Sequence, residues 1–437
     1  MIARRLVTIA ASLALLAGCN GGTGAQWPAV TDARLRNADK DPGWLMYLRT
    51  YNAQGHAPYN QINAGNVDKL HVVFTHSVSI PEGFEAPPMV NGRTMIVTTP
   101  MDDVYALDAV TGKKLWEYDH APDIPKVTLR TVCCDMDNRG VAMYGNNVYM
   151  ATLDDHVIAL DARTGKVVWD VTKEPPGVGY AMTAAPLAVN GKIIIGAGGG
   201  EYGSRGVIFA LDAKDGHELW RFYTIPSPHQ TGGNTWPNNT YKHGGADPWM
   251  TGSYDPETNT LFWGTGNPSP WLWVQHPGQN LFSDSFVALD PDTGKLKFWF
   301  QETPNDPWDY DATATWVQAD VPIKGKMRKI IYQFGRNGNL YVVDRTNGDL
   351  IYMTPFTKAM SVLGYDRKKR MGIVDEQLKP RIGQAIVTCP AFFGGDNWWS
   401  FTYDPNTHIA VTPGMQTCMK LTGEKPPKKF NAGAFQT

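Results

Sequence analysis

The strongest constraint on this chain is a repeat. Ala106-Leu-Asp-Ala-Val-Thr-Gly-Lys-Lys-Leu-Trp116 returns as Ala159-Leu-Asp-Ala-Arg-Thr-Gly-Lys-Val-Val-Trp169 and as Ala210-Leu-Asp-Ala-Lys-Asp-Gly-His-Glu-Leu-Trp220, with looser copies from Ala288 and near Val342. The repeat aspartates stand at 108, 161, 212, 290 and 344, in steps of 53, 51, 78 and 54. One period is therefore about 52 residues, and one interval carries about 26 more. Each copy reads as an apolar strand, a turn opening on Asp with Gly where φ must be positive, and a second strand ending in Trp. No window shows the 3.6-residue period of an amphipathic helix, which excludes helical solenoids. Short strands at a period near fifty point to an all-β fold, a β-propeller of four-stranded blades in which the recurrent Trp packs between neighbours. The 44 Gly, 31 Pro and 15 Trp suit such a turn-rich chain.

With 40 basic and 42 acidic side chains the net charge is −2, so nothing points to nucleic acid. Arg4 and Arg5 precede an apolar run from Leu6 to Ala17, too short to span a membrane and suited to a secretory signal. The run ends in Leu16-Ala-Gly-Cys19, similar to the lipobox of bacterial lipoproteins, in which the Cys is acylated. The expected organisation is a signal peptide over 1–18, a lipid-bearing Cys19, a flexible lead over 19–41 and one propeller domain over 42–437. A plain signal peptide with a chance Cys is the alternative. Export permits disulfides. Of the four remaining cysteines, Cys389 and Cys418 flank strand-like segments and could staple them. Cys133 and Cys134 are adjacent, and a bridge there needs a distorted peptide. The residues leave that bridge and two free buried thiols equally open.

Three segments are too irregular for blade scaffolding. Gly196-Ala-Gly-Gly-Gly-Glu201-Tyr-Gly-Ser-Arg-Gly206 contains a formal G-x-G-x-x-G, but a repeat strand follows it where a nucleotide fingerprint needs a helix. Its glycines, Gly199 and Gly200 among them, instead let backbone approach a flat ligand or aim Glu201 into a cavity. The extra-long interval holds His243-Gly-Gly-Ala-Asp-Pro-Trp249 and Phe262-Trp-Gly-Thr-Gly-Asn267-Pro-Ser-Pro-Trp271. The third is Thr303-Pro-Asn-Asp-Pro-Trp308-Asp309-Tyr310-Asp311. If extended, it puts Asp309 and Asp311 on one side. Glu201, Asp309 and the amide oxygen of Asn267 would form an all-oxygen site for a hard cation such as Ca²⁺.

From about Trp44 to Cys418 these segments resemble the pyrroloquinoline quinone (PQQ) dependent alcohol dehydrogenases, the quinoprotein methanol and ethanol dehydrogenases of the bacterial periplasm. The resemblance rests on Cys133-Cys134-Asp135 with Asn138-Arg139-Gly140, on Gly-Thr-Gly-Asn267-Pro, on Trp308-Asp309-Tyr310 and on Gly335-Arg336-Asn337-Gly338. It implies that Cys133 and Cys134 form a vicinal disulfide against one face of the quinone, with Trp249 on the other. Glu85, Arg139, Thr183 and Arg336 would hydrogen-bond the cofactor, with Thr152 and Asn397 as further candidates. Glu201 and Asn267 would bind the metal, and Asp309 would be the base that takes the alcohol proton. Asp311 adds a carboxylate at the position where family members that use lanthanides carry Asp, so the ion is Ca²⁺ or a lanthanide. Cys389 and Cys418 fit the family's second disulfide.

Relatives continue past the region of Cys418 and complete eight blades. Five repeat hairpins here lead to an expectation of about six or seven, with an open ring exposing strand edges. Without a Cys-x-x-Cys-His there is no covalent haem c, and electrons would pass to a separate cytochrome c. The expected activity is oxidation of a small alcohol in the periplasm by a lipid-anchored enzyme. The alternatives are a non-catalytic PQQ-like propeller scaffold at the outer membrane and a truncated, inactive dehydrogenase.

Overall fold

The computed structural model describes residues 27–78, 80–426 and 430–435. The signal segment and Cys19 lie outside them. Each repeat forms a four-stranded antiparallel sheet, and five such blades span 89–118, 142–172, 187–223, 253–301 and 317–355. Strand order within a blade follows chain order. The inner strands are buried on both faces, which explains runs such as Ile193-Ile-Ile within Lys192–Ala197. Outermost strands such as Val167–Thr172 alternate towards solvent. In the third strand of every blade the register shifts just before the repeat Asp, at Leu107, Leu160, Leu211, Leu289 and Val343. The Asp then caps the turn: Asp108 Oδ1 accepts from the backbone N–H of Val110 and Thr111, and Asp161 and Asp290 do the same.

The recurrent aromatic residue joins each blade to the next. Trp116 Nε1 donates to Ala162 O at 3.0 Å, Trp169 to Ala213 O at 3.2 Å and Trp220 to Pro291 O at 3.0 Å. Each indole covers the turn glycine of the following blade, so a Cβ on Gly165, Gly216 or Gly294 would lie 2.6–2.8 Å from the ring. These glycines also sit at φ 68 to 76°. Glycine is thus required twice over, by backbone conformation and by the ring above it. In the looser copies Phe298 takes the Trp position and lies on Gly348, whereas Tyr352 is 45% exposed. Before the first blade, Phe74 lies on Gly112.

Two expectations are corrected. Five complete blades form among the described residues, not six or seven. The later strands pair only two by two: Ala385–Thr388 with Met419–Thr422, and Thr402–Asp404 with Ile409–Val411. A further hairpin, Val362–Asp366 with Met371–Val374, extends the fourth blade through a parallel pairing of Gln301 with Met371. The lead is not flexible from residue 27 onward. Trp27 and Val30 are buried, Val30 and Gly145 exchange backbone hydrogen bonds of 2.9 and 2.7 Å, and Thr31 caps the helix Asp32–Arg36. Arg34 fastens that helix to Asp41 and to Asn91 of the first blade. Among the described residues no helix is long and apolar enough to cross a membrane.

Trp220→Ala should cost about 3–5 kcal/mol. Gly294→Ala should also destabilise, but by less in the Trp220→Ala background than alone, because the ring it would strike is gone. Urea unfolding of the two single variants and the double variant measures this, and strict additivity would refute the interblade contact.

Candidate functional site

Loops from several blades enclose one cavity of about 420 Å³. Its wall includes Glu85, Cys133, Cys134, Arg139, Thr183, Gly199, Glu201, Trp249, Asn267, Asp309, Asp311, Arg336 and Asn397, so thirteen positions singled out in the sequence meet in space. Cys133 and Cys134 are disulfide-bonded to each other, and Cys389 is bonded to Cys418. The vicinal pair and the Trp249 indole thus offer flat surfaces to one cavity, as a planar ligand needs.

Arg139 is buried, with its guanidinium carbon 5.1 Å from the ring centres of both Trp249 and Trp398. One of its nitrogens lies 2.6 Å from Glu85 Oε2, while Nε and Nη1 have no hydrogen-bond partner. Two orphaned donors of a guanidinium fork call for a planar anion such as a carboxylate. Thr183 Oγ1 faces the same space and donates to Trp249 O at 3.4 Å. The donor inventory therefore fits a flat, carboxylate-bearing cofactor.

The acidic end is built around Arg336. Its Nη1 lies 3.0 Å from Asp309 Oδ1 and 3.2 Å from Asp311 Oδ2, and its Nε and Nη2 donate to Asn397 Oδ1 at 3.1 and 2.8 Å. Asp311 Oδ2 also accepts from Trp249 Nε1 at 3.0 Å, and its Oδ1 accepts from the Asn267 N–H at 2.6 Å. The two aspartates converge, but not as an extended pair: Asp309 has φ 65°, in the left-handed region. A non-glycine residue held there costs energy and is commonly found at functional sites. Glu201 enters from the short turn Gly200–Tyr202, and Trp271 Nε1 points at its Oε1 from 3.5 Å. Burial raises Glu201 above the ordinary carboxylate range, reinforced by Asp311. Burial raises Asp309 further, against the pull of Arg336. Ionised together, three carboxylates around one guanidinium would carry excess negative charge, so their ionisation calls for a further cation. With the amide oxygen of Asn267 they bring only oxygen donors to this end of the cavity, the donor type that suits a hard cation.

Two candidates fall outside the cavity wall. Thr152 Oγ1 donates to Asp154 Oδ1 at 2.6 Å, so its hydroxyl serves a different buried cluster. In that cluster His120 Nε2 lies 3.0 Å from Asp154 Oδ1, and Asp102 accepts from Asn138 Nδ2 and the Leu153 N–H, both at 2.7 Å. Asp102, His120 and Asp154 are the one His and carboxylate trio, among the described residues, whose ligand atoms lie within 4.8 Å of one another. Through Asn138, Asp102 anchors the loop that carries Cys133 to Arg139. Gly200 is buried against Asp247: a Cβ there would stand 2.7 Å from its Oδ2. Asp247 itself lines the cavity, accepting from the Gly199 N–H at 2.8 Å and from Ser204 Oγ at 3.0 Å. Sequence reasoning missed Asp247, although it stands two residues before Trp249 in a segment already marked as irregular. It also missed Trp398, next to Asn397.

Comparison with known proteins finds relatives along most of the chain. Residues 44–359 match the family model of the glucose/ethanol/alcohol dehydrogenase β-propeller domain. The chain is 40% identical to quinohemoprotein alcohol dehydrogenase ADH IIB of Pseudomonas putida, over 88% of this chain and 57% of that protein. It is 36% identical to quinoprotein alcohol dehydrogenase PedH of Pseudomonas putida, over 96% of this chain and 73% of that protein. A solved europium-containing methanol dehydrogenase superposes with a TM-score of 0.87 at 32% identity, covering 92% of this chain and 73% of that one. The chain thus spans a little over half of the first of these relatives.

Burial raises the carboxyls of Glu85, Asp102, Asp247 and Asp396 to about 7. In the unfolded chain such groups titrate near 4. An acid that holds its proton more tightly when folded withdraws stability as pH rises between those two values. Glu218, pulled down to about 2 chiefly by Arg221, has its full effect already above the ordinary carboxylate range. The melting temperature of the protein free of cofactor and metal should therefore fall from pH 5 to pH 8. Calorimetry checks this, and a rise across that window would contradict the assignment.

Proposed function

Because the chain belongs to the family of PQQ-dependent alcohol dehydrogenases, we propose that it oxidises the CH–OH group of an alcohol to a carbonyl in this cavity, with Asp309 as the base. The observation that carries the reading is the meeting of a vicinal disulfide, the Trp249 indole, the orphaned donors of Arg139 and an oxygen-rich acidic end in one cavity. When bound, PQQ supplies the carbon that accepts hydride, and a Lewis-acidic cation polarises it.

The protein's own residues do the rest. Arg139 would hold a cofactor carboxylate with its free Nε and Nη1. Cys133–Cys134 and Trp249 fit the faces of the flat ring. Glu201, Asn267, Asp309 and Asp311 would hold the cation, and a positive charge there would favour the ionised forms of these carboxyls. Asp309 then takes the hydroxyl proton of the substrate while Arg336, 3.0 Å away, fixes its orientation. Both oxygens of Asp311 already accept a hydrogen bond, but each carboxylate oxygen has a further lone pair for a cation. A third carboxylate favours a trivalent lanthanide over Ca²⁺, in line with the europium-containing relative. A cytochrome c is the electron acceptor that suits this chemistry. The lipobox-like Leu16–Cys19 supports a lipid-anchored protein of the periplasm. A scaffold is not favoured, since it has no use for a vicinal disulfide beside unpaired arginine donors.

A dye-linked alcohol oxidation assay on protein loaded with PQQ and either Ca²⁺ or La³⁺ tests the reading. Asp309→Asn should lower kcat by about 10²–10⁴-fold. Asp311→Ala should shift preference from La³⁺ towards Ca²⁺. Folded protein that neither binds PQQ nor turns over with either ion would refute the proposal. Separately, Cys19→Ser should move the protein from the membrane fraction to the soluble periplasmic fraction, and an unchanged membrane fraction would rule out the lipid anchor.

A further inference from the structure

The proposed base stands on a turn that does not hold itself. Asp309 has φ 65° and Asn305 has φ 49°, both in the region that residues other than glycine avoid. Asp306 ties the turn from within: its Oδ1 accepts from the Trp308 N–H at 2.7 Å and its Oδ2 from the Tyr310 N–H at 2.6 Å. Asp309 and Asp311 line the cavity, whereas Trp308 and Tyr310 are wholly buried, with ring centres 5.8 Å apart and planes at 25°. Both of these rings are tied through their polar atoms. Trp308 Nε1 donates to Leu378 O at 2.8 Å, and the Tyr310 hydroxyl donates to Pro390 O at 2.5 Å.

Pro390 opens the stretch that also holds Arg336. Asn397 Oδ1 accepts from Nε and Nη2 of that arginine, the Gly395 N–H donates to its carbonyl at 2.9 Å, and a Cβ on Gly394 would stand 2.7 Å from its Cγ. Arg336 Nη1 in turn donates to the Asp309 carbonyl at 2.8 Å and to Asp309 Oδ1 at 3.0 Å. The contacts close a circuit. It runs from Asp309 to Tyr310 along the chain, by the phenol to Pro390, along 390–397 to Asn397, and through Arg336 back to Asp309.

The stretch in the middle of this circuit has no regular structure of its own. Residues 389–401 form no strand, and the neighbouring pair of Ala385–Thr388 with Met419–Thr422 has only two strands, which is marginal by itself. The Cys389–Cys418 bond closes the loop, and the Ala391 N–H crosses it to Thr417 O at 3.1 Å. Pro390 is buried, and among the described residues its carbonyl accepts no hydrogen bond except that of Tyr310. Without the phenol oxygen a buried acceptor would be left unpaired, and the loop would lose its direct tie to the catalytic turn.

Resting on the dehydrogenase reading above, we infer that Tyr310 is a positioning residue: its hydroxyl, through Pro390, and Asn397, through Arg336, fix Asp309 from two sides on one loop. Tyr310→Phe removes a single oxygen and keeps the buried ring, and a melting curve checks that the variant folds. In the PQQ- and metal-loaded protein it should lower kcat about tenfold and leave KM within about twofold. Tyr51→Phe is the control, since it removes a similarly buried bond, from the Tyr51 hydroxyl to Ala188 O at 2.7 Å, outside the cavity wall. It should lower the melting temperature comparably and leave kcat unchanged. A kcat in Tyr310→Phe no lower than in Tyr51→Phe would overturn the inference and leave the dehydrogenase reading intact. Urea unfolding of the protein free of cofactor and metal supplies a second readout: Asn397→Ala should cost less stability in the Tyr310→Phe background than alone. If no alcohol is oxidised, the dehydrogenase reading fails and this cycle decides by itself: coupling between the two sites upholds the shared loop, and strict additivity overturns it.

Discussion

Everything in this molecule depends on an aromatic ring lying on a glycine. A blade alone buries only part of its apolar surface, and neighbouring blades must be fixed in angle before loops at one end can meet. Trp116, Trp169, Trp220 and Phe298 each cover the turn glycine of the next blade, and the three indoles also donate to that turn. Ring area supplies the attraction and the N–H supplies direction. Because the contact joins the same positions at each step, an error in one blade angle would be carried to the rest of the ring, and with it to the cavity.

The second organising interaction is electrostatic. Arg336 is buried with Asp309, Asp311 and Glu201 raising its proton affinity against the burial that lowers it. One guanidinium cannot balance three ionised carboxylates, and the low-dielectric surroundings make ionising all of them costly. The resulting demand for positive charge ties the acidic end to a cation. Arg139 is short of acceptors in the complementary way. The two ends therefore ask for opposite charges within one cavity, as a metal-bound ligand bearing carboxylates would provide.

What could be read in the sequence is what is local. The Asp-to-Gly turns and the strand pattern lie within eleven residues of one another, so their chemistry survives without coordinates. Short motifs such as Cys133-Cys134 or Trp308-Asp309-Tyr310 carry family resemblance for the same reason. Long-range placement was not legible. Thr152 is two residues from Asp154, and only packing decides that its hydroxyl turns to that carboxylate and away from the cavity. The lead over 27–41 looks polar, yet Arg34 finds Asn91 across 57 residues and Val30 finds Gly145 across the second blade. The blade count failed because apolar segments after residue 355 close as two-stranded pairs, a choice between partners that alternation of side chains does not encode. The aromatic part of the cavity wall is of the same kind: Trp271 and Phe392 are 121 residues apart, yet their ring centres lie 6.3 Å from each other.

The cavity wall draws residues from position 85 to position 435, through loops of successive blades. A ligand seated there touches the sequence nearly from end to end, and it binds only the arrangement in which those loops have converged. It thus serves as a keystone: occupancy at a hundred times the dissociation constant adds about 2.7 kcal/mol to the folded state without any new contact between blades. Loading and folding become two readings of one equilibrium, so the supply of whatever ligand fills the cavity also sets how long the folded protein survives.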